Sequence, residues 1–127
     1  MTLKILCFED TIGDQKLLRD IFEGRGAMFL FYDDWDIASH IEEISKFKPD
    51  IVVVDLLDNK TNLEPGYRLI RRLSEIPQTS GLPVIAWSVL FREDPDGLRA
   101  QQRAKEWGAR PLLKSEHTPP ERFLEDS

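Results

Sequence analysis

Cysteine is almost missing from this chain: Cys7 is the single one in 127 residues. No internal disulfide can form, and nothing in the sequence demands an oxidising compartment. Cys7 lies in the first apolar run, where a buried, inert thiol is expected. Long hydrophobic runs are missing too. Glu9 and Asp10 interrupt the first run within a few residues, which excludes a signal peptide or a membrane span at the N-terminus. Positive charge is in deficit, with 17 Lys and Arg against 23 Asp and Glu for a net charge of -6. Without a basic stripe to neutralise phosphates, nucleic acid is not an expected direct partner. His40 and His117 have no ligand spacing to a cysteine or to each other, which argues against a zinc site. Internal repeats, low-complexity segments and linkers are absent as well. These absences leave a single domain over 1–127, with no membrane partner and a cytoplasmic location as the expectation.

What is present is organised around Ile51-Val52-Val53-Val54-Asp55. Four β-branched residues in a row read as a strand buried on both faces, the habit of a central strand in a parallel sheet. The run ends in a carboxylate that it cannot itself use. Ligands in open α/β sheets sit at the carboxyl ends of the strands, so Asp55 stands where chemistry is expected, although taken alone it reads better as a residue that starts a turn.

Apolar runs and helical stripes alternate along the rest of the chain. Leu3 to Phe8 forms a first strand, and Leu17, Leu18, Ile21 and Phe22 mark a helix closed by Gly24 and Gly26. Ala27 to Tyr32 is a second strand. Asp34 or Asp36 caps a helix with the stripe Ile37, Ile41, Ile44 and Phe47, which Pro49 ends. After a polar loop from Leu56 to Leu63, a helix begins near Pro65 and carries Tyr67, Leu69, Ile70 and Leu73. Leu82 to Ser88 is a fourth strand and Asp94 to Trp107 a polar helix whose main apolar positions are Leu98, Ala104 and Trp107. Arg110 to Lys114 makes a brief fifth strand, and the tail has room for a short helix around Pro120 to Glu125. Strict alternation with short connections predicts an α/β fold: a doubly wound, five-stranded parallel sheet in a three-layer sandwich, with the flavodoxin-like order 2-1-3-4-5.

That order gathers Glu9, Asp10 and Asp55 at one rim. Carboxylates so placed repel one another and need a counter-charge. Hard oxygen ligands are what magnesium prefers, so Mg2+ is the expected cofactor. Ser88 ends the fourth strand with a hydroxyl, and Lys114 ends the fifth with an ammonium on an apolar lead-in. A carboxylate nucleophile, a metal, a hydroxyl and a lysine compose a phosphoryl-transfer site with Asp55 as the attacking group. Each residue also has a plainer reading: Glu9-Asp10 as a solvated turn, Ser88 as a polar strand end, Lys114 as a surface lysine. Trp35, Trp87 and Trp107 read as packing residues, Trp87 being placed to report on Ser88 beside it.

From Leu3 to about Ser115 the chain resembles a response-regulator receiver domain of two-component signalling, through ILCFED (Ile5 to Asp10), VVVD (Val52 to Asp55), LPVIAWS (Leu82 to Ser88) and PLLK (Pro111 to Lys114). The tail, 116–127, is only weakly matched. The resemblance implies the acidic pair at Glu9 and Asp10, the phosphoacceptor at Asp55, the hydroxyl at Ser88 and the lysine at Lys114. It also implies that the backbone carbonyl of Leu57 completes the magnesium shell. There are departures from the pattern. Asp58-Asn59 stands where the family has Met-Pro, and the loop to Gly66 is longer than usual. Val89 is bulkier than the usual small residue, and Ser115 replaces the proline of a cis peptide bond. Pro111 or Leu112 takes the place of the switch aromatic, so a tyrosine-type readout does not carry over.

The resemblance implies a switch that takes a phosphoryl group from a sensor histidine kinase or phosphotransfer protein and signals to a separate, unknown output protein. Such a chain catalyses at most its own phosphotransfer and autodephosphorylation. The alternative is an adaptor of the same fold that works without phosphate. A haloacid-type phosphatase would need an acid where Leu57 stands. In a flavodoxin-like FMN carrier, Glu9-Asp10 would repel the phosphate.

Overall fold

In a computed structural model, which describes residues 2–56 and 63–125, five parallel strands lie in the order β2-β1-β3-β4-β5. The strands are β1 (Lys4–Phe8), β2 (Met28–Tyr32), β3 (Ile51–Asp55), β4 (Val84–Ser88) and β5 (Arg110–Leu113). Between them run α1 (Ile12–Ile21), α2 (Ile41–Phe47), α3 (Glu64–Glu75), α4 (Pro95–Trp107) and, after β5, the one-turn α5 (Glu121–Leu124). The expected α/β class and strand order are those of the molecule.

The central strand behaves as its composition requires: all five residues of β3 are buried. Successive side chains point to opposite faces of a sheet. Ile51 and Val53 therefore join Ile5, Cys7, Ile85, Trp87 and Leu112 under Leu18 and Phe22 of the α1 segment and Phe123 of α5. Val52 and Val54 join Leu6, Phe8, Val84 and Ala86 under Ile44, Leu69, Ile70, Leu73 and Ala104 of the other three helices. Helices on both faces make the three layers. Each fully buried Val or Ile stabilises the fold by about 1.5–3 kcal/mol, so the four apolar residues of β3 anchor both cores at once.

Local signals account for the helix ends. Asp94 accepts a hydrogen bond from the Gly97 amide at 2.6 Å, with Pro95 at the first helical position, so α4 begins as the sequence predicts. Gly97 is required there, since an added Cβ would lie 2.2 Å from the Arg92 carbonyl oxygen. Leu98, read as one of the apolar positions of α4, points to solvent, and the helix packs through Ala104 with Trp107 at the margin.

The second helix differs from expectation. Residues Ile37–His40 form a turn of 3-10 helix before α2 begins at Ile41. The two expected caps are engaged elsewhere: Asp34 accepts from the Asp36 amide and Asp36 from the Ser39 hydroxyl. Helix α2 ends at Lys48, in the left-handed region at φ 56°, because the residue before Pro49 is disfavoured in helical conformation.

Candidate functional site

The period-2 alternation that builds the two cores also sorts the strand-end residues. Glu9 continues the Ile5, Cys7 series, and the Glu9 amide still bonds the Tyr32 carbonyl at 2.9 Å. Asp55 continues Ile51 and Val53, and Lys114 continues Leu112. All three therefore emerge on the face covered by α1. There the Lys114 ammonium lies 2.9 Å from Glu9 Oε1, 3.0 Å from Asp14 Oδ2 and 3.5 Å from Asp55 Oδ1. Its charge also stands 4.6 Å from the centre of the buried Trp87 ring, a cation–π contact from below.

This group is almost dry. The side chains of Glu9, Asp55 and Lys114 are 0%, 6% and 8% exposed, whereas Asp14, in the first turn of α1, is 34% exposed. Burial disfavours the charged form of Glu9, and Asp55 beside it adds to the effect. Its carboxyl is pushed up to about 8 although Lys114 pulls the other way. Burial works against the Lys114 charge as well, yet Asp55 and Glu9 outweigh it and raise the ammonium above its ordinary range. The charge of Lys114 thus does not offset the burial of Glu9 beside Asp55. Burial pushes the Cys7 thiol well up too, so it is the inert residue expected from its position.

Asp10 and Ser88 fall in the other series, with Phe8 and with Ala86, and they turn to local partners. Asp10 Oδ1 accepts from the Thr11 hydroxyl at 3.3 Å. Ser88 is buried, and its Oγ accepts from the Leu90 amide at 3.1 Å. The Ser88 carbonyl accepts from the Lys114 amide at 3.0 Å, which ties the ends of β4 and β5 together. Val89 beside it is 49% exposed. Leu57, whose carbonyl the resemblance to the receiver family implies in the metal shell, lies outside the described residues, as do Asp58 and Asn59.

Among the described residues, the carboxylate group suited to a cation is Glu9, Asp14 and Asp55, whose ligand oxygens lie within 4.8 Å of one another. Hard carboxylate oxygens, short of positive charge, fit a divalent metal. The structure thus brings Glu9, Asp55 and Lys114 together, adds Asp14, and leaves Asp10 outside this group.

Two residues escaped the sequence reading. Asp14 sat unremarked in the polar stretch that opens the first helix. Trp35 read as packing, and it does lie against the core, but its Nε1 also donates to the Asp55 carbonyl at 3.1 Å. The departures at β5 are real in structure: the strand reads Arg-Pro-Leu-Leu, and every peptide bond among the described residues is trans.

No protein-family model matches the chain, and no curated protein matches it. Solved structures do. A candidate response regulator from Chloroflexus aurantiacus J-10-fl superposes with TM-score 0.73 at 22% identity, over 98% of this chain and 93% of that one. The signal receiver domain of a signal transduction histidine kinase from Syntrophus aciditrophicus superposes with TM-score 0.64 at 27% identity, over 87% and 77%. The Mn(2+)-bound form of response regulator Rcp1 superposes with TM-score 0.64 at 16% identity, over 96% and 87%. The chain therefore has the receiver fold, and it carries an acidic cluster able to hold a metal ion at the carboxyl ends of its strands. No helix among the described residues is long and apolar enough to cross a membrane.

Proposed function

We propose that this chain is a phosphoacceptor switch whose acceptor is Asp55. The observation that carries the reading is the ammonium of Lys114, buried 3.5 Å from Asp55 Oδ1 and hydrogen-bonded to Glu9 at the end of the central strand. A lysine drawn into a nearly dry rim and surrounded by carboxylates is poised for an anion that must add charge there.

The chemistry follows from the donor set. An oxygen of Asp55 attacks the phosphorus of a phosphohistidine or an acyl phosphate in line. The bond from phosphorus to the leaving nitrogen or oxygen breaks, and the leaving group departs with that electron pair. Trp35 holds the main chain of the acceptor through the Asp55 carbonyl. Lys114 answers the charge on the equatorial oxygens, and the Ser88 hydroxyl donates to one of them after turning from the Leu90 amide. Glu9 and Asp55 would hold magnesium, with Asp10 and the Leu57 carbonyl completing the set by resemblance to the family. When bound, the metal neutralises charge on the phosphoryl oxygens and the carboxylates. The donor is a sensor histidine kinase or phosphotransfer protein, the readout is a changed surface for an output protein, and the setting is the cytoplasm.

The adaptor alternative draws on one observation: Asp10 and Ser88 both face local partners. Incubation with acetyl phosphate and magnesium, followed by intact mass measurement, separates the readings. One phosphoryl group on the wild type and none on Asp55→Asn is the expected result. An unmodified wild type leaves the adaptor reading in possession, and label persisting in the variant moves the acceptor elsewhere.

A further inference from the structure

Lys114 has three N–H donors. Two are engaged within hydrogen-bond distance, by Glu9 at 2.9 Å and Asp14 at 3.0 Å, while Asp55 stands farther off at 3.5 Å. The lysine is thus held more closely by α1 than by the acceptor. We infer that Asp14 is a latch: it holds Lys114 back from Asp55 in the resting state and gives it up when a phosphoryl group arrives, which makes it a positioning residue that sets how readily the switch is thrown. The inference rests on the phosphoacceptor reading for its consequence, although the latch itself is a property of the resting protein.

Three observations decide which bond is given up. Glu9 is 0% exposed, and a carboxyl group released there would have no water to turn to. Asp14 is 34% exposed, so its carboxylate exchanges the lysine for solvent at little cost. Asp14 also sits in the first turn of the ten-residue helix α1, where the helix dipole stabilises a negative charge whether or not a lysine is present. Trp87 completes the device, because its ring supports the ammonium from below. Moving Lys114 off Asp14 therefore changes the environment of a buried indole.

Asp14→Asn has two effects of the same sign. It frees one donor of Lys114 for the phosphoryl oxygens, and it removes a negative charge from the path of an anionic phosphodonor. Asp14→Glu restores the charge on a longer arm and serves as the conservative control. The test uses Trp35→Phe/Trp107→Phe chains, in which Trp87 is the remaining tryptophan, titrated with beryllofluoride in saturating magnesium. Asp14→Asn is expected to bind about three- to tenfold more tightly, while Asp14→Glu stays close to the parent. Equal or weaker binding by Asp14→Asn overturns the latch, and weaker binding would make Asp14 a metal ligand instead.

A parent that binds no beryllofluoride would count against the phosphoacceptor reading, and a second measurement then decides the latch alone. In metal-free protein, acetylation of Lys114 by a lysine-acylating reagent is followed by peptide mass mapping. An amine no longer held at 3.0 Å by Asp14, on the solvent side of a side chain that is otherwise 8% exposed, is freer to reach the reagent. The rate should rise about threefold in Asp14→Asn and not in Asp14→Glu, and equal rates in all three proteins would sink the latch.

Discussion

On the α1 side of the rim, Lys114 joins Glu9 and Asp14 across 105 and 100 residues of sequence. On the other side, Asp10 bonds Thr11 one residue away and Ser88 bonds Leu90 two residues away. Both sides stand at the carboxyl end of the same sheet, and both carry groups that the sequence marked for the same chemistry. The difference is one of commitment. Long-range charged contacts exist only in the folded chain, so the α1 side is assembled by folding and strained by its own excess of negative charge. Local contacts of the Asp10 and Ser88 kind survive in turns whatever the rest of the chain does, and they are cheap to exchange for a ligand. The proposed switch would use both: a preassembled charged wall and a face free to turn inward.

The comparison breaks most visibly at Lys114. Lys114→Met removes the one cation that, among the described residues, faces this nearly dry group of carboxylates, and breaking a buried pair in this way costs about 3 kcal/mol or more. A fall in melting temperature on the order of 10 °C in metal-free buffer is expected. The matching substitution on the other side, Asp10→Asn, should leave metal-free stability within about 0.5 kcal/mol. If the two variants melt together, the rim is uniform and the contrast drawn above is wrong.

Next in size is a pH effect with a definite sign. Glu9 titrates near 8 in the folded protein against an ordinary 4.5. Between those values the folded chain keeps a proton that the unfolded chain has released. Stability therefore falls as pH rises from about 4.5 to 8 and levels off above that range. Glu9→Gln carries no such proton, so its metal-free unfolding free energy should decline less over the same window. Denaturant unfolding at pH 5 and pH 8 checks the sign, and a wild type that gains stability toward pH 8 while Glu9→Gln does not would reverse it.

How much of this was legible beforehand depends on the kind of signal. The strands and their order were legible, because Ile51 to Val54 can be buried on both faces only in the middle of a parallel sheet, and short connections leave few ways to wind the rest. The separation of Glu9 from Asp10 was also present, unread, in the alternation of Ile5, Cys7 and Glu9 against Leu6, Phe8 and Asp10. Asp14 was not legible. Which residue of the first helical turn meets Lys114 depends on how α1 docks against the sheet, and the sequence period fixes a face without fixing a docking angle. The 3-10 turn at Ile37 was hidden for a related reason: side chains that suit a helical cap also bond one another.

Beside the rim, the main chain after Asp55 depends on a close approach between elements. A Cβ at Gly66 would lie 2.9 Å from both the Cα and the carbonyl oxygen of Leu56, the residue after Asp55. Gly66→Ala must push α3 off the end of β3, at an expected cost of about 1–3 kcal/mol. At Gly13, on the α1 side, the nearest atom to an added Cβ is the Thr11 methyl at 4.0 Å, so Gly13→Ala should be neutral or stabilising by up to about 1 kcal/mol. Chemical denaturation of the pair sharpens the comparison, since it asks whether Asp55 is held by its main chain as well as by its charged neighbours. Equal stabilities would deny the main chain that part.

The smallest expected effect lies at the hydrogen bond between Trp35 and Asp55, the indole N–H on the Asp55 carbonyl. Trp35→Phe keeps a large ring against the core and deletes that donor. Trp35 is only partly buried, so water can replace the bond, and the loss should be about 1 kcal/mol or less. Because the bond is to the main chain and not to the carboxylate, the charged group should stay assembled. The Glu9-linked pH dependence should therefore be unchanged in Trp35→Phe, while labelling of Asp55 by acetyl phosphate slows by no more than about threefold, the share of one weak hydrogen bond in holding the nucleophile. A variant that loses the pH dependence along with the bond would show that the two sides of the rim act as a single unit.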